Sequence, residues 1–167
     1  MFRRIADFQE TWVQERENTL KILRALTDAS LTQAVTKIDR TLGRMAWHVA
    51  TSIGEMASRT GLAIGGPRHD MPVPSSAAEI VAGYETAARS LADEVASQWT
   101  DATLEVQDDM YGEKWPRGLT LHALVVHQTH HRAQMTVLMR QAGLMVPGVY
   151  GPAREEWSAY GMPAPAV

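Results

Sequence analysis

Apolar side chains recur at intervals of three and four residues along four long stretches of the chain, the spacing of the buried stripe of an amphipathic helix. In the first stretch Ile5, Phe8 and Trp12 follow this spacing. The predicted helices cover residues 3–28, 41–61, 76–99 and 120–143. Four helices with little other regular structure predict an all-α four-helix bundle.

Capping signals mark where two of these helices begin. Ser76 followed by Glu79 has the pattern of a capping box at the start of the third helix. Thr120 is a suitable N-cap for the fourth helix, and Leu119 and Leu124 have the spacing of a hydrophobic staple around it.

The connections between the predicted helices are long. Residues 65–74 carry the glycines and prolines of a loop, and residues 100–118 are irregular, with a short strand predicted at 103–106. After Gly143 four prolines predict an irregular C-terminal tail that wraps over one end of the bundle. We expect a single domain over residues 1–167, because this length supports one core.

The amino-acid composition limits the classes of partner that we expect for this chain. The chain is 45% hydrophobic and 21% charged with a formal net charge of −3, which is ordinary for a soluble globular protein and gives no reason to expect nucleic acid as a partner. It contains no cysteine, so thiol chemistry would need an external thiol. No apolar run could cross a membrane and no signal-peptide pattern opens the chain, so we expect no membrane partner and a cytoplasmic location.

Three histidines form a candidate metal site. His127 and His131 lie four residues apart on the fourth helix, so they point the same way, inside or beside its apolar stripe. His48 lies at the edge of the apolar stripe of the second helix. Burying adjacent imidazoles is costly unless their nitrogens are satisfied, and a metal ion would satisfy them. Three ligands leave positions open for water or substrate, as in a catalytic site.

The remaining histidines are less suited to this role. His130 falls on the flank of the fourth helix, His122 should face solvent, and His69 lies in a predicted surface loop. A zincin would need glutamate where Gln128 follows His127, and no Glu-x-x-His of a di-iron bundle occurs in the chain. Three neutral imidazoles suit zinc, nickel or ferrous iron, and the choice among these metals stays open.

Three polar residues near the predicted ligands have two interpretations each. Glu55 lies two helical turns after His48 and is either a base or partner of the site or a rim glutamate in water. Arg132 and Gln134 flank the ligand turn, where they either orient a ligand or substrate or cover the bundle surface.

The chain resembles the DinB-like (DinB/YfiT) superfamily of metal-binding four-helix bundles. The resemblance rests on three features. The first is a histidine in the second helix, His48, and the second is the closing stretch, residues 143–157. The third is a His-x-x-x-His-Arg-x-Gln motif in the fourth helix, formed by His127, His131, Arg132 and Gln134. Ala133 departs mildly from the glycine often found in the family. The resemblance implies that His48, His127 and His131 bind a metal, and that the chain forms a homodimer. Relatives include transferases and isomerases that use mycothiol, bacillithiol or glutathione, so it also implies an external low-molecular-weight thiol as a cofactor.

Three functions fit this pattern. The first is a metal-dependent enzyme that activates a thiol or water against a small-molecule substrate, as a thiol transferase or hydrolase, in a pocket walled by Trp47 or Trp115 and the tail. The second is a non-catalytic metal-binding protein of stress response or interaction. The third is a metal-free interaction bundle, for which His127→Ala would change stability little and bound metal would be zero.

Overall fold

The computed structural model describes residues 1–166, so Val167, the last residue of the expected domain, lies outside the described residues. The four long helices are α1 (Ile5–Arg24), α2 (Leu42–Ser58), α3 (Ala77–Gln98) and α4 (Arg117–Gln141). The main packing partners of both α1 and α2 are α3 and α4, so α1 and α2 lie at diagonal corners. The prediction of an all-α four-helix bundle is confirmed, with a small hairpin added.

Large apolar side chains fill the space between the four helices. Phe8 and Trp12 of α1, Ile53 of α2 and Leu124 of α4 are all at most 1% exposed. The indole of Trp12 donates to the carbonyl oxygen of Ala88 on α3 at 2.9 Å, so even its polar atom is satisfied in the core. Each such side chain contributes about 1.5–3 kcal/mol through burial, and these contacts hold α2 and α4 side by side.

The predicted start of α4 at Thr120 is wrong. The helix begins at Arg117, Pro116 occupies the N-cap position, and Thr120 is buried inside the helix. The Arg117 amide donates to the carbonyl oxygen of Val106 at 2.9 Å, and its guanidinium binds Asp108 with an Nε–Oδ2 distance of 2.9 Å. These contacts from preceding residues hold the first turn, so neither the threonine cap nor the predicted staple is needed. In contrast, the Ser76 side chain caps α3 by accepting from the Glu79 amide, which is one half of the predicted capping box. Within residues 1–166 the reciprocal bond from the Glu79 side chain is not formed.

The strand predicted at 103–106 is also wrong. A 3-10 helix occupies Asp101–Glu105, and the strands β1 (Gln107–Met110) and β2 (Glu113–Pro116) follow it as an antiparallel hairpin. Tyr111 and Gly112 connect the strands with φ of 61° and 88°. Two central residues with positive φ are typical of the tight turns that match strand twist. Glycine takes this conformation freely, whereas tyrosine does so at a cost.

The tail after α4 is irregular apart from a 3-10 helix at Arg154–Tyr160. Two backbone amides, those of Gly148 and Ala153, donate to the Glu156 carboxylate at 2.9 Å, which closes the segment into a compact loop. The hydroxyl of Tyr150 donates to Glu15 on α1 at 2.7 Å, so the tail lies against α1 and α4. Within residues 1–166, no helix combines the length and apolar character needed to cross a bilayer.

Candidate metal centre

The structure brings the three predicted histidines together between α2 and α4. The Nε2 atom of His127 lies 3.1 Å from that of His48 and 3.2 Å from that of His131. One ligand nitrogen from each ring lies within 4.8 Å of the others. The four-residue spacing on α4 brings the rings of His127 and His131 together, and the packing of α2 against α4 adds the ring of His48.

These distances fit a bound divalent ion. Zinc–nitrogen bonds of about 2.0–2.1 Å place neighbouring nitrogens about 2.9 Å apart in octahedral geometry and about 3.4 Å apart in tetrahedral geometry. The two observed separations, 3.1 and 3.2 Å, lie between these values. One ring hydrogen on Nε2 of the central His127 cannot serve both contacts with good geometry. A cation among the three nitrogens would remove this conflict at Nε2, so the cluster could hold a metal ion. Within residues 1–166, the buried Nδ1 of His127 has no hydrogen-bond partner.

Burial keeps the cluster neutral. Desolvation, followed by the neighbouring histidines, lowers the pKa of both His48 and His127 from 6.5 to about 4. Desolvation also lowers the pKa of His131. All three rings are therefore uncharged at neutral pH, which is the protonation state that a metal ligand requires.

Gln134 orients one of these rings. Its side-chain oxygen lies 2.7 Å from Nδ1 of His131 and accepts the ring hydrogen there. With the hydrogen on Nδ1, the lone pair of Nε2 points toward the other two histidines. Of the two interpretations of Gln134, the orienting role is the one that this hydrogen bond supports.

Arg132 has neither of the roles considered for it. It is 2% exposed, and it points away from the histidines toward α1. Its guanidinium pairs with the Glu15 carboxylate and donates to the Thr19 hydroxyl at 2.8 Å. The hydroxyl of Tyr150 from the tail bonds to the same guanidinium. Arg132 therefore ties α4 to α1 and to the tail, a contact that the sequence did not reveal.

Gln128 is a second internal anchor that sequence reasoning missed. It is fully buried, accepts from the Tyr84 hydroxyl on α3 at 3.0 Å, and donates to the carbonyl oxygen of Val49 on α2 at 3.4 Å. A signal was available, because Gln128 falls four residues after Leu124, within the apolar stripe of α4. A polar residue in that stripe needs internal partners.

A cavity of about 800 Å³ opens beside the cluster, with His48 and His127 in its wall. Trp115 of β2 lines it as predicted, but Trp47 does not. The Trp47 indole is buried and donates to the carbonyl oxygen of Met71 at 3.3 Å. Among the described residues, none after His127 lines the cavity, so the expected contribution of the tail is also wrong.

Glu55 lies in the cavity wall and is held by two neighbours. Its carboxylate accepts from Arg59 at 2.9 Å and from the Tyr111 hydroxyl at 2.6 Å. Burial, and then this bond to Glu55, raises the pKa of Tyr111 to about 12. Within residues 1–166, no histidine bonds to Glu55, so it is a wall carboxylate rather than an orienting partner of the three imidazoles.

The other histidines lie where the sequence predicted them. His69, His122 and His130 are exposed. The first two also contribute to the cavity wall, which the sequence did not indicate. None of the three belongs to the cluster of converging ligand nitrogens found in the described part of the chain.

Comparison with known proteins identifies the family. The model of the DinB family matches residues 1–164, and the chain belongs to this family. It is 47% identical over 167 residues to the uncharacterized protein YrdA of Bacillus subtilis (strain 168), with full coverage of both chains. A crystal structure of a DinB-like protein from Bacillus cereus ATCC 10987 matches with a TM-score of 0.86 and 46% identity, covering 90% of this chain and 100% of that one.

A more distant structure shares the fold alone. The DinB-like protein YjoA of Bacillus subtilis is 16% identical and superposes with a TM-score of 0.68, covering 86% of this chain and 96% of that chain. The family match and the three-histidine cluster together fit a metal-binding DinB-like protein.

Proposed function

We propose that this DinB-family chain is a metal-dependent enzyme that activates an external low-molecular-weight thiol, or water, for attack on a small electrophile. The metal, a divalent ion of zinc, nickel or iron, would be held by His48, His127 and His131. The supporting observation is that three imidazoles converge and that two of them, His48 and His127, line a cavity of about 800 Å³. A structural site would favour four protein ligands and closure from solvent.

The metal would supply one kind of chemistry, namely lowering the pKa of a thiol or water ligand so that it is a nucleophile at neutral pH. Gln134 would keep His131 in the tautomer whose Nε2 lone pair faces the other histidines of the cluster. Trp115 and Tyr111 of the hairpin would shield the bound reactants from water.

Glu55 is the proposed proton acceptor. It is the one acidic residue among the described residues that line the cavity. In thiol transfer its carboxylate would take the thiol proton, the sulfur would bond to the electrophilic carbon, and the leaving group would depart with its bonding electrons. In hydrolysis the oxygen of water would take the place of sulfur.

The first test is elemental mass spectrometry of untagged protein. We expect about one equivalent of transition metal in the wild type and in His122→Ala, which removes an exposed α4 histidine, and none in His131→Ala. Absence of metal from the wild type, even after zinc, nickel and ferrous iron are added back, would refute the metal site.

The second test is turnover. The metal-loaded protein is assayed with mycothiol, bacillithiol, glutathione or water against small electrophiles that carry a halide or ester leaving group. Metal-dependent turnover that is lost in Glu55→Gln supports the enzyme. A fully loaded protein that turns over nothing would favour the non-catalytic alternative. The homodimer stays a prediction of the family resemblance, and sedimentation analysis tests it. The cytoplasmic location stays a prediction from the sequence.

A further inference from the structure

We infer that the cavity beside the three histidines selects a small organic anion whose carboxylate or phosphate group is bound by Arg40 and Arg44. The rest of that ligand would extend along the cavity toward the histidine cluster. This inference rests on the proposed function, because it names the substrate class of the same site.

The two arginines lie at the start of α2, near one metal-site histidine. Arg44 and His48 are one turn apart on the helix, Arg40 lies just before its N-cap, and all three line the cavity. Arg44 lies one helical turn before His48, a rise of roughly 5–6 Å along the helix axis. An anionic group on the arginines would therefore lie a few bonds from a donor atom at the histidine cluster.

Neither guanidinium has a partner of its own. Within residues 1–166, no carboxylate lies within ion-pair distance of Arg40 or Arg44, and neither side chain donates a hydrogen bond. Other arginines near this region are paired, for example Arg59 with Glu55 and Arg117 with Asp108.

The cavity is therefore positive although the chain as a whole is negative. Glu55, the one acidic lining residue in the described chain, is already neutralised by Arg59. A divalent ion at the cluster would add to this positive charge. Guanidinium groups bind carboxylate and phosphate through charge-assisted hydrogen bonds. Both arginines are exposed at the cavity, so their donors are accessible to an incoming anion.

The apolar lining of the cavity indicates the rest of the ligand. Trp115 of the hairpin, Met56 of α2, and Ala123 and Val126 of α4 are among the lining residues. A ligand with an anionic end and an apolar body matches both kinds of lining, and a volume of about 800 Å³ is in the range of small-molecule sites.

Three thiols of one spacer length test the inference. The probes are 3-mercaptopropionamide, 3-mercaptopropionate and 2-mercaptoethylphosphonate, titrated into the cobalt(II)-loaded protein while sulfur-to-cobalt charge-transfer absorption is followed. We expect the carboxylate to bind about five- to tenfold more tightly than the amide, as for partly exposed charge-assisted hydrogen bonds. Tighter binding of the phosphonate than of the carboxylate would identify the phosphate class, and the reverse order the carboxylate class.

The variants separate this inference from the proposed function. In the double variant Arg40→Gln/Arg44→Gln the preference for the anion should fall to less than about twofold, while affinity for the amide stays unchanged. Arg89→Gln removes an exposed arginine of α3 outside the cavity and should leave the preference intact.

Two outcomes would overturn the inference in different ways. If all three thiols bind with equal affinity, or if the double variant keeps its preference, the arginines do not select an anion and the open metal site stands. If no thiol changes the cobalt spectrum, the open metal site itself is refuted and the inference falls with it.

Discussion

Removing one partner of the buried pair of Arg132 and Glu15 should strongly destabilise the bundle. The two side chains are 3% and 9% exposed, and within residues 1–166 the Glu15 carboxylate forms no other ion pair. In Arg132→Leu this carboxylate would remain buried beside the Tyr150 hydroxyl without a countercharge. Removing one partner of a buried pair costs about 3–5 kcal/mol. For a chain of this length we expect Tm to fall by roughly 6–20 °C.

The double variant Arg132→Leu/Glu15→Leu gives the decisive comparison. Replacing both partners by apolar side chains removes the stranded charge, so we expect it to recover at least about 2 kcal/mol of the loss. Urea unfolding of the metal-free proteins, followed by circular dichroism, measures each free energy. Arg132→Lys keeps the charge and is the milder control.

Two results would refute this reasoning. One is a double variant as unstable as Arg132→Leu, which would mean that the Glu15 charge is not stranded by the loss of its partner. The other is a loss of less than about 1 kcal/mol in the single variant, a size typical of exposed pairs.

Three further predictions concern the site itself. Gln134→Ala removes the hydrogen bond that orients His131 and should weaken metal affinity about 10–100-fold. Competition with a chelator measures this affinity, and an unchanged value would show that the His131 ring needs no such partner. The metal-free protein should lose stability as pH falls from 6.5 to 4. His48 and His127 have pKa values of about 4 in the folded protein, so over this range the unfolded chain binds more protons than the folded one. A free energy of unfolding in urea that does not change over this pH range would contradict the prediction. Tyr111→Asn suits the positive φ better, so thermal unfolding should show little or no loss of stability, while turnover should fall because the bond to the wall carboxylate is lost.

The histidine cluster could be predicted from the sequence because its geometry is largely local. Four residues on one helix fix how His127 and His131 point, and the apolar stripe of α2 fixes the side of the bundle on which His48 lies. Gln134 follows within one turn, so its contact with His131 was also within reach of the sequence.

Contacts between distant parts of the chain could not be predicted. Arg132 and Glu15 are 117 residues apart, and nothing local in either helix indicates that they pair. The fourth helix starts earlier than its best capping residue because Asp108 and Val106, on the hairpin side, hold Arg117 in place. Trp47 resembled a pocket wall because it adjoins His48, but consecutive residues on a helix point about 100° apart.

The same angle explains why α4 carries both a metal cluster and the main polar anchors of the bundle. On α4, each of the two cluster histidines is followed at once by a buried polar residue, His127 by Gln128 and His131 by Arg132. The histidines face α2, whereas Gln128 and Arg132 are turned about 100° away toward the core and α1.

Gln128 binds α2 and α3, and Arg132 binds α1 and the tail, so α4 is fixed against every other helix at the two turns that carry ligands. Three nitrogens separated by 3.1 and 3.2 Å keep that spacing only if α4 cannot slide or rotate against α2. The buried polar residues are therefore best understood as the part of the site that sets its dimensions.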